Sequence, residues 1–295
     1  MRSGDTGMAD ADGGHGETPA ARRSPGRGGR ASFVWVVSLV LVAFLPPRVA
    51  HEARAAETAC PRVAPRHVEL PATRAAFSSG RPIGIVAFGS SSTEGAGASA
   101  PDRTYPARLA AILRARWPGA DVTLLNRGAG GQTIEAMLAR LDRDVVAFRP
   151  ALVIWQAGAN DALRGLDPAR FGALLDEGVR RITATGGDLV LMDNQIAPRL
   201  PVSERVAVYG GILAHEAALR SVSLFSRTAL MQEWRAAAAP GEETMIGQDG
   251  LHHTDLGYAC LAEALGAAIA TSVERKEDRP ASPSAHLELR SLRRE

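Results

Sequence analysis

The sequence predicts an α/β protein in which helices cover both faces of a parallel β-sheet. Short apolar runs recur along the chain and are closed by Gly or polar residues, segments of helical periodicity lie between them, and the two kinds alternate. Such alternation is typical of parallel strands joined by crossover helices. Ligands bind at the carboxyl ends of the strands in these sheets, so we expect the functional residues directly after the strands.

The apolar runs predict five strands, because each is short and bounded by turn residues. They cover residues 82–88, 121–125, 151–155, 188–192 and 221–225. Apolar positions spaced at helical intervals predict six helices. They cover residues 105–116, 133–143, 168–185, 203–219, 228–238 and 255–271.

The N-terminal region is typical of an export signal. A Gly-, Ala- and Arg-rich stretch over residues 1–30 precedes the apolar run Ala31–Leu45, which has about 15 residues where about 20 are needed to span a bilayer. Ala53-Arg54-Ala55 offers a small-x-small cleavage site. We expect residues 1–55 to be a signal peptide region with a long basic extension, removed on export; an uncleaved anchor is the alternative.

The rest of the chain divides into three parts. Residues 56–80 form a lead-in segment, and residues 81–273 form a single α/β domain without visible internal repeats. Residues 274–295 are rich in charge and Pro and cannot bury enough apolar area to offset their ordering entropy. We expect this tail to be disordered.

Charge and cysteine content exclude several classes of protein. The 34 basic and 32 acidic residues are spread along the chain, which disfavours nucleic-acid binding. Cys60 and Cys260 lie far apart outside any CxxC or Cys/His cluster, so no zinc, iron–sulfur or dithiol site is expected. There is also no nucleotide or flavin motif, and we expect no cofactor and no metal. In an oxidising compartment the two cysteines are expected to form a disulfide, with two free thiols as the alternative.

Three strand ends carry polar or glycine-rich turns. Ser90, Ser91 and Ser92 follow the first strand, a glycine-rich turn containing Gly131 follows the second, and Asn160 follows the third. Glycines at the start of a helix let backbone N–H groups converge on an anion. Taken one at a time, each turn is also explained by a helix cap or a tight strand-to-helix connection.

A fourth segment, Asp249-Gly-Leu-His252-His253, precedes the last helix. An acid three residues before a histidine can reach the imidazole and fix its tautomer, which is the arrangement that general-base catalysis requires. His253 has no acid at that spacing.

Taken together, these segments resemble the four blocks of the SGNH (GDSL-like) hydrolase family, and more loosely its thioesterase/lysophospholipase branch. The resemblance spans residues 82–270 and implies a flavodoxin-like three-layer α/β/α fold with a five-stranded parallel sheet. Gly89 to Gly95 matches the first block, Gly-Asp-Ser-Leu-Thr-x-Gly, which places the nucleophile at Ser91. Ser90 stands where the family usually has Asp.

The resemblance implies a serine esterase that cleaves acyl esters through an acyl-enzyme. Ser91 is the implied nucleophile, His252 its base and Asp249 the acid that orients His252. The implied oxyanion hole consists of the Ser91 and Gly131 N–H groups and the Asn160 amide. We expect an exported, periplasmic or secreted enzyme acting on small-molecule or glycan esters, without stable membrane insertion after signal cleavage.

Two alternative functions stay open, and the sequence says little about the acyl group. A periplasmic O-acyltransferase of the same fold would pass the acyl group to a sugar hydroxyl, and a non-catalytic relative would bind acylated glycans. The small residues Ala129, Ala157, Ala159 and Ala162 favour short acyl groups, whereas the branch resemblance favours longer ones. Arg164 and Arg199 follow strands three and four, where they would attract an anionic leaving group or form a solvated rim.

Overall fold

A computed structural model describes residues 60–200, 204–237 and 245–275. The expected signal peptide region, residues 1–55, and nearly all of the expected C-terminal tail lie outside the described residues. Within the described ranges, one helix, Asp255–Glu274, is long and apolar enough to span a membrane, and 72% of its most apolar stretch is buried inside the protein. A buried core helix has the same length and composition.

The five predicted strands form one parallel sheet. They are β1 (Ile83–Gly89), β2 (Val122–Gly128), β3 (Leu152–Gln156), β4 (Asp188–Met192) and β5 (Ser223–Phe225). The order across the sheet is β2-β1-β3-β4-β5, and every neighbouring pair is parallel. Central β3 and β4 are buried along their whole length, as continuous apolar strands covered on both faces should be. The predicted α/β class with a five-stranded parallel sheet is confirmed.

Ten α-helices connect and cover these strands within the described residues. They are α1 (Pro71–Ser78), α2 (Ser91–Glu94), α3 (Tyr105–Arg116), α4 (Ile134–Leu138), α5 (Leu141–Asp144), α6 (Ala159–Arg164), α7 (Pro168–Thr183), α8 (Glu204–Leu219), α9 (Arg227–Ala237) and α10 (Asp255–Glu274). Because all five strands run parallel, their carboxyl ends share one edge of the sheet.

The helix predicted over residues 133–143 is wrong as a single element, because it is broken into α4 and α5. Ala139 and Arg140 lie between them, and Arg140 has φ −115° and ψ 2°. Its buried guanidinium lies 4.4 Å from the centre of the Phe88 ring and donates to the carbonyls of Gly89 and Arg127. The break therefore lets the Arg140 side chain turn inward and bind backbone oxygens at the ends of β1 and β2.

Helix α1 was not predicted from sequence periodicity. The carboxylate of Asp188, at the start of β4, accepts hydrogen bonds from the N–H groups of Ala72 and Thr73 and from the Thr73 hydroxyl. An anion at a helix N-terminus is favourable because the first N–H groups have no partner within the helix. This capping fixes the lead-in segment to the sheet.

A disulfide joins Cys60 to Cys260, which is buried in α10. The two cysteines are 200 residues apart in sequence. The bond therefore ties the first described residue of the chain to the helix that closes the fold.

Candidate active site

The turn after β1 places Ser91 at the carboxyl edge of the sheet. β1 ends at Gly89, and the chain passes through Ser90 into α2, whose first residue is Ser91. A Cβ atom at Gly89 would collide with the Thr93 hydroxyl and would come within 3.0 Å of the Gln156 carboxamide oxygen. A glycine is therefore required for the chain to turn this sharply beneath the serine.

The turn before α10 brings His252 and Asp249 to Ser91. His252 Nε2 lies 2.8 Å from Ser91 Oγ, and His252 Nδ1 lies 2.5 Å from Asp249 Oδ2. The other carboxylate oxygen of Asp249 accepts the N–H groups of Leu251 and His252 at 2.9 and 3.0 Å. A continuous hydrogen-bonded row thus runs from carboxylate through imidazole to hydroxyl, the geometry by which a serine is activated.

The surroundings of Asp249 stabilise its negative charge. Partial burial raises the pKa of Asp249, but hydrogen bonds from the Leu251 N–H, the His252 N–H and the imidazole outweigh it and bring the pKa down to about 2. The carboxylate therefore stays ionised throughout the range in which an ordinary imidazole titrates, and it can stabilise an imidazolium.

The three adjacent serines have different surroundings. The N–H and hydroxyl of Ser90 both donate to Gln156 Oε1, at 3.0 and 2.9 Å, beneath the surface. The Ser92 hydroxyl is also buried, 3.5 Å from Gln195 Oε1. Of the three, Ser91 is the one whose hydroxyl contacts His252.

The predicted oxyanion-hole residues have hydrogen-bond donors that are free to bind a ligand. Among the described residues, neither the Ser91 N–H nor the Gly131 N–H has an acceptor. The Asn160 amide donates one hydrogen to the Gln132 carbonyl at 3.0 Å, which orients it and leaves its second hydrogen for a ligand. Gly131 has φ +70°, a conformation that L side chains rarely adopt, and its carbonyl accepts from the Arg164 guanidinium at 2.8 Å.

Asp161 links the turns after β2 and β3. It is completely buried, and one carboxylate oxygen accepts the Ile134 N–H at 3.1 Å, at the start of α4. Burial raises the pKa of Asp161, although that hydrogen bond opposes the rise. The residue fixes the relative positions of the turns that carry Gly131 and Asn160.

The small residues around these turns contribute less to the cleft than the sequence suggested. Ala157, Ala159 and Ala162 are buried, so they pack beneath the surface. Leu163 and Leu166, in and just after α6, are exposed instead. These two leucines therefore place exposed apolar surface close to Asn160 in sequence.

Other predicted residues lie at the rim or take structural roles. Arg199 is exposed, and its N–H donates to the Gly250 carbonyl within the turn that carries Asp249. His253 is wholly buried. Within the described ranges, no group of three or more His, Cys, Asp or Glu side chains could hold a metal ion.

Comparison with families and with known proteins identifies the relatives of this chain. A family model described as the non-GDSL lipase-like family matches residues 58–275. The esterase TesA of Pseudomonas aeruginosa is 29% identical over 137 residues, which cover 45% of this chain and 63% of that enzyme. An arylesterase of Vibrio mimicus is 33% identical over 97 residues, which cover 33% of this chain and 48% of that protein. The matches therefore span less than two thirds of the length of either relative.

Solved structures extend the likeness over the whole fold. The crystal structure of LAE5, an alpha/beta hydrolase enzyme from the metagenome of Lake Arreo in Spain, superposes with a TM-score of 0.56 and 25% identity. The superposition covers 65% of this chain and 98% of that one. The likeness therefore spans nearly all of that structure and about two thirds of this chain.

Proposed function

Because the chain belongs to the non-GDSL lipase-like family, we propose that it is an exported serine esterase that hydrolyses carboxylic esters. The observation that carries the proposal is the hydrogen-bonded row Ser91–His252–Asp249. The resemblance to SGNH hydrolases is confirmed by the family match. Ser90 in place of the usual Asp agrees with a family described as non-GDSL.

In the first half of the reaction, Ser91 Oγ attacks the acyl carbonyl carbon while His252 Nε2 takes the serine proton. The carbonyl oxygen becomes an oxyanion, which accepts hydrogen bonds from the Ser91 and Gly131 N–H groups and the Asn160 amide. The ionised Asp249 stabilises the imidazolium. The oxyanion then collapses, the bond to the leaving alcohol breaks, and the imidazolium protonates that alcohol.

In the second half, water replaces the alcohol. His252 takes a proton from the water, whose oxygen attacks the acyl-enzyme, and the same three donors bind the second oxyanion. Collapse breaks the bond to Ser91 Oγ, which recovers its proton from His252, and the carboxylic acid leaves. The cycle uses no group beyond these side chains and backbone amides.

Export is supported by two features of this chain. The N-terminal signal pattern over residues 1–55 is typical of secretion. The Cys60–Cys260 disulfide is of the kind that persists outside the reducing cytosol. We therefore place the enzyme in the periplasm or the medium, with its domain beginning after the signal region.

For the acyl group, we propose short chains. Two sets of side chains differ in what they favour: the small alanines around Asn160 are buried, while Leu163 and Leu166 expose apolar surface. The small alanines favour a short acyl group, and a long acyl chain would have to lie along Leu163 and Leu166.

A series of p-nitrophenyl esters from acetate to palmitate tests both the reaction and the chain length, with Ser91→Ala as the inactive control. We expect the largest kcat/KM at two to four carbons. A maximum at eight carbons or beyond would favour a lipase or lysophospholipase, and no Ser91-dependent hydrolysis of any ester would reject the proposal. Transfer of a labelled acyl group to a glycan, instead of release as free acid, would identify an acyltransferase.

A further inference from the structure

A buried glutamine connects the interior of the protein to the turn that carries His252. The Gln195 side chain, 2% exposed, donates from Nε2 to the Leu251 carbonyl at 3.1 Å. Its Oε1 accepts from Arg227 Nη2 at 2.7 Å. Gln195 follows β4, and Leu251 directly precedes His252, so the side chain spans from the sheet to the catalytic turn.

Arg227 decides which way the Gln195 amide faces. The guanidinium is wholly buried at the start of α9, where its Nε donates to the Asp193 carbonyl at 3.2 Å. A guanidinium is donor-only, so it accepts no hydrogen bond from the NH2 group of an amide. The carboxamide oxygen must therefore point to Arg227, and the NH2 group is left to face Leu251.

The Leu251 peptide sits between Gln195 and the reacting groups. Within the described part of the chain, its carbonyl accepts only from Gln195. The Leu251 N–H donates to Asp249 Oδ1, the same oxygen that accepts the His252 N–H. A shift of this peptide would move the carboxylate and the imidazole together relative to Ser91.

We propose that Gln195, held in one orientation by Arg227, is a positioning residue for ester hydrolysis that sets the place of His252 over Ser91 through the Leu251 carbonyl. This inference rests on the proposed esterase function. Gln195 touches no reacting atom, so its effect falls on the rate of the chemical step and not on substrate binding. Displacements of about 1 Å at a reacting group cost on the order of 10²-fold in rate.

Gln195→Glu is the sharpest variant, because it keeps the shape and the oxygen that faces Arg227 while removing the donor to Leu251. We expect kcat on p-nitrophenyl acetate to fall by about 10- to 100-fold with KM almost unchanged. The rate of inactivation by a serine-reactive phosphonate should fall in proportion. In proton NMR, the low-field resonance of the imidazole proton between His252 and Asp249 should broaden or vanish.

Thr228→Val is the matched control. Thr228 donates to the Asn194 carbonyl at 2.7 Å, so the variant removes a hydrogen bond beside Gln195 but leaves the His252 turn untouched. We expect its kcat and low-field resonance to match the natural protein. If Thr228→Val lost as much kcat as Gln195→Glu, the effect would be general loosening and the proposal would be wrong.

Arg227→Lys is the second variant and tests the positioning role of Gln195 if Gln195→Glu does not fold. Lysine replaces the rigid planar fork that holds Asp193 and Gln195 by a compact ammonium on a flexible stem, so we expect the same NMR change and a kcat about 5- to 20-fold lower. Natural kcat and an unchanged resonance in either variant would overturn the inference. A natural protein that cleaves no ester would instead reject the esterase function, and the NMR comparison would still test the positioning role.

Discussion

Two neighbouring histidines mark two regions with opposite characters: the cleft at the sheet edge and the polar layer buried beneath it. His252 has a partly exposed side chain, a carboxylate on one ring nitrogen and the Ser91 hydroxyl on the other. His253 is buried between the Trp234 and Tyr258 rings, with its Nδ1 on the Met245 carbonyl. Burial first, and the charge of Arg227 second, lower the pKa of His253 to about 3.

The difference teaches that the surroundings, not the residue type, assign the task. A histidine with an acid and a hydroxyl can carry a proton back and forth during a reaction. A histidine enclosed by aromatic rings and close to a buried cation stays neutral and serves as packing. Substitutions in the cleft should therefore lower activity, and substitutions in the buried layer should lower stability. Each of the following variants tests that division.

The largest effect is expected in the cleft. Ser91→Ala removes the nucleophile, and we expect kcat/KM for ester hydrolysis to fall by at least about 10⁴-fold, with little change in the melting temperature. Steady-state kinetics on p-nitrophenyl acetate measures this. Ser90→Ala and Ser92→Ala should keep substantial activity, and an inactive Ser90→Ala would show that the nucleophile is misassigned.

The next largest effect is expected from removal of the disulfide. Replacing Cys60 and Cys260 together by Ser frees a loop of 200 residues, and in the chain-entropy treatment this lowers the free energy of unfolding by at most about 5 kcal/mol. Urea unfolding of the exported protein measures the loss, while kcat at 25 °C should stay nearly unchanged. Two thiols that titrate in the denatured natural protein without reductant would contradict the bond.

Asn160→Ala tests the edge of the cleft. Loss of one oxyanion donor should lower kcat by about 10²- to 10³-fold and leave KM almost the same, because the donor acts on charge that develops only in the transition state. The measurement is steady-state kinetics together with the inactivation rate by a phosphonate. A fall in kcat of less than about fivefold would remove Asn160 from the oxyanion hole.

The smallest effect is a dependence of stability on pH that comes from the buried layer. Because the pKa of His253 is about 3 in the folded protein and about 6.5 when unfolded, the unfolded chain binds more protons between these values. The part of the free energy of unfolding that depends on neutral His253 is therefore fully present above about pH 6.5. It is lost as the pH falls, by about 2 kcal/mol at pH 5.

His253→Asn tests this dependence, because its side chain keeps a donor for the Met245 carbonyl but does not titrate. Urea unfolding at several pH values should show a flatter decline between pH 6.5 and pH 5 than in the natural protein. An equally steep decline would assign the acid sensitivity to other groups.

Strand positions could be predicted where burial on both faces produces an unbroken apolar run, as in β3 and β4. The end of β2 was missed because it is half-exposed and polar: Asn126 and Arg127 pair with β1 through their backbones alone. The break at Arg140 was missed for a related reason. Its pattern fits a helix, and only the carbonyl oxygens of distant residues explain why the side chain turns inward.

The candidate site could be assembled from the order of its motifs, because each motif sits at a strand or helix end and the topology brings those ends together. His252 stands out by the spacing of Asp249 before it, and Ser91 by the resemblance of its turn to the first block of the SGNH family. Gln195 and Arg227 are not, since a buried polar side chain has no periodic signature and the two lie 32 residues apart. Their contact depends on how β4 and α9 pack, which no local pattern encodes.

The distance along the chain between Ser91 and His252, 161 residues, also orders events during synthesis. At about 5 to 20 residues per second, the ribosome adds His252 roughly 10 to 30 seconds after Ser91. Throughout that interval the nascent polypeptide carries a serine with no base to activate it. Cys260 follows only eight residues after His252. The histidine and the second cysteine therefore leave the ribosome almost together, as the sequence of the last helix is completed, and the disulfide can form only after both have been made.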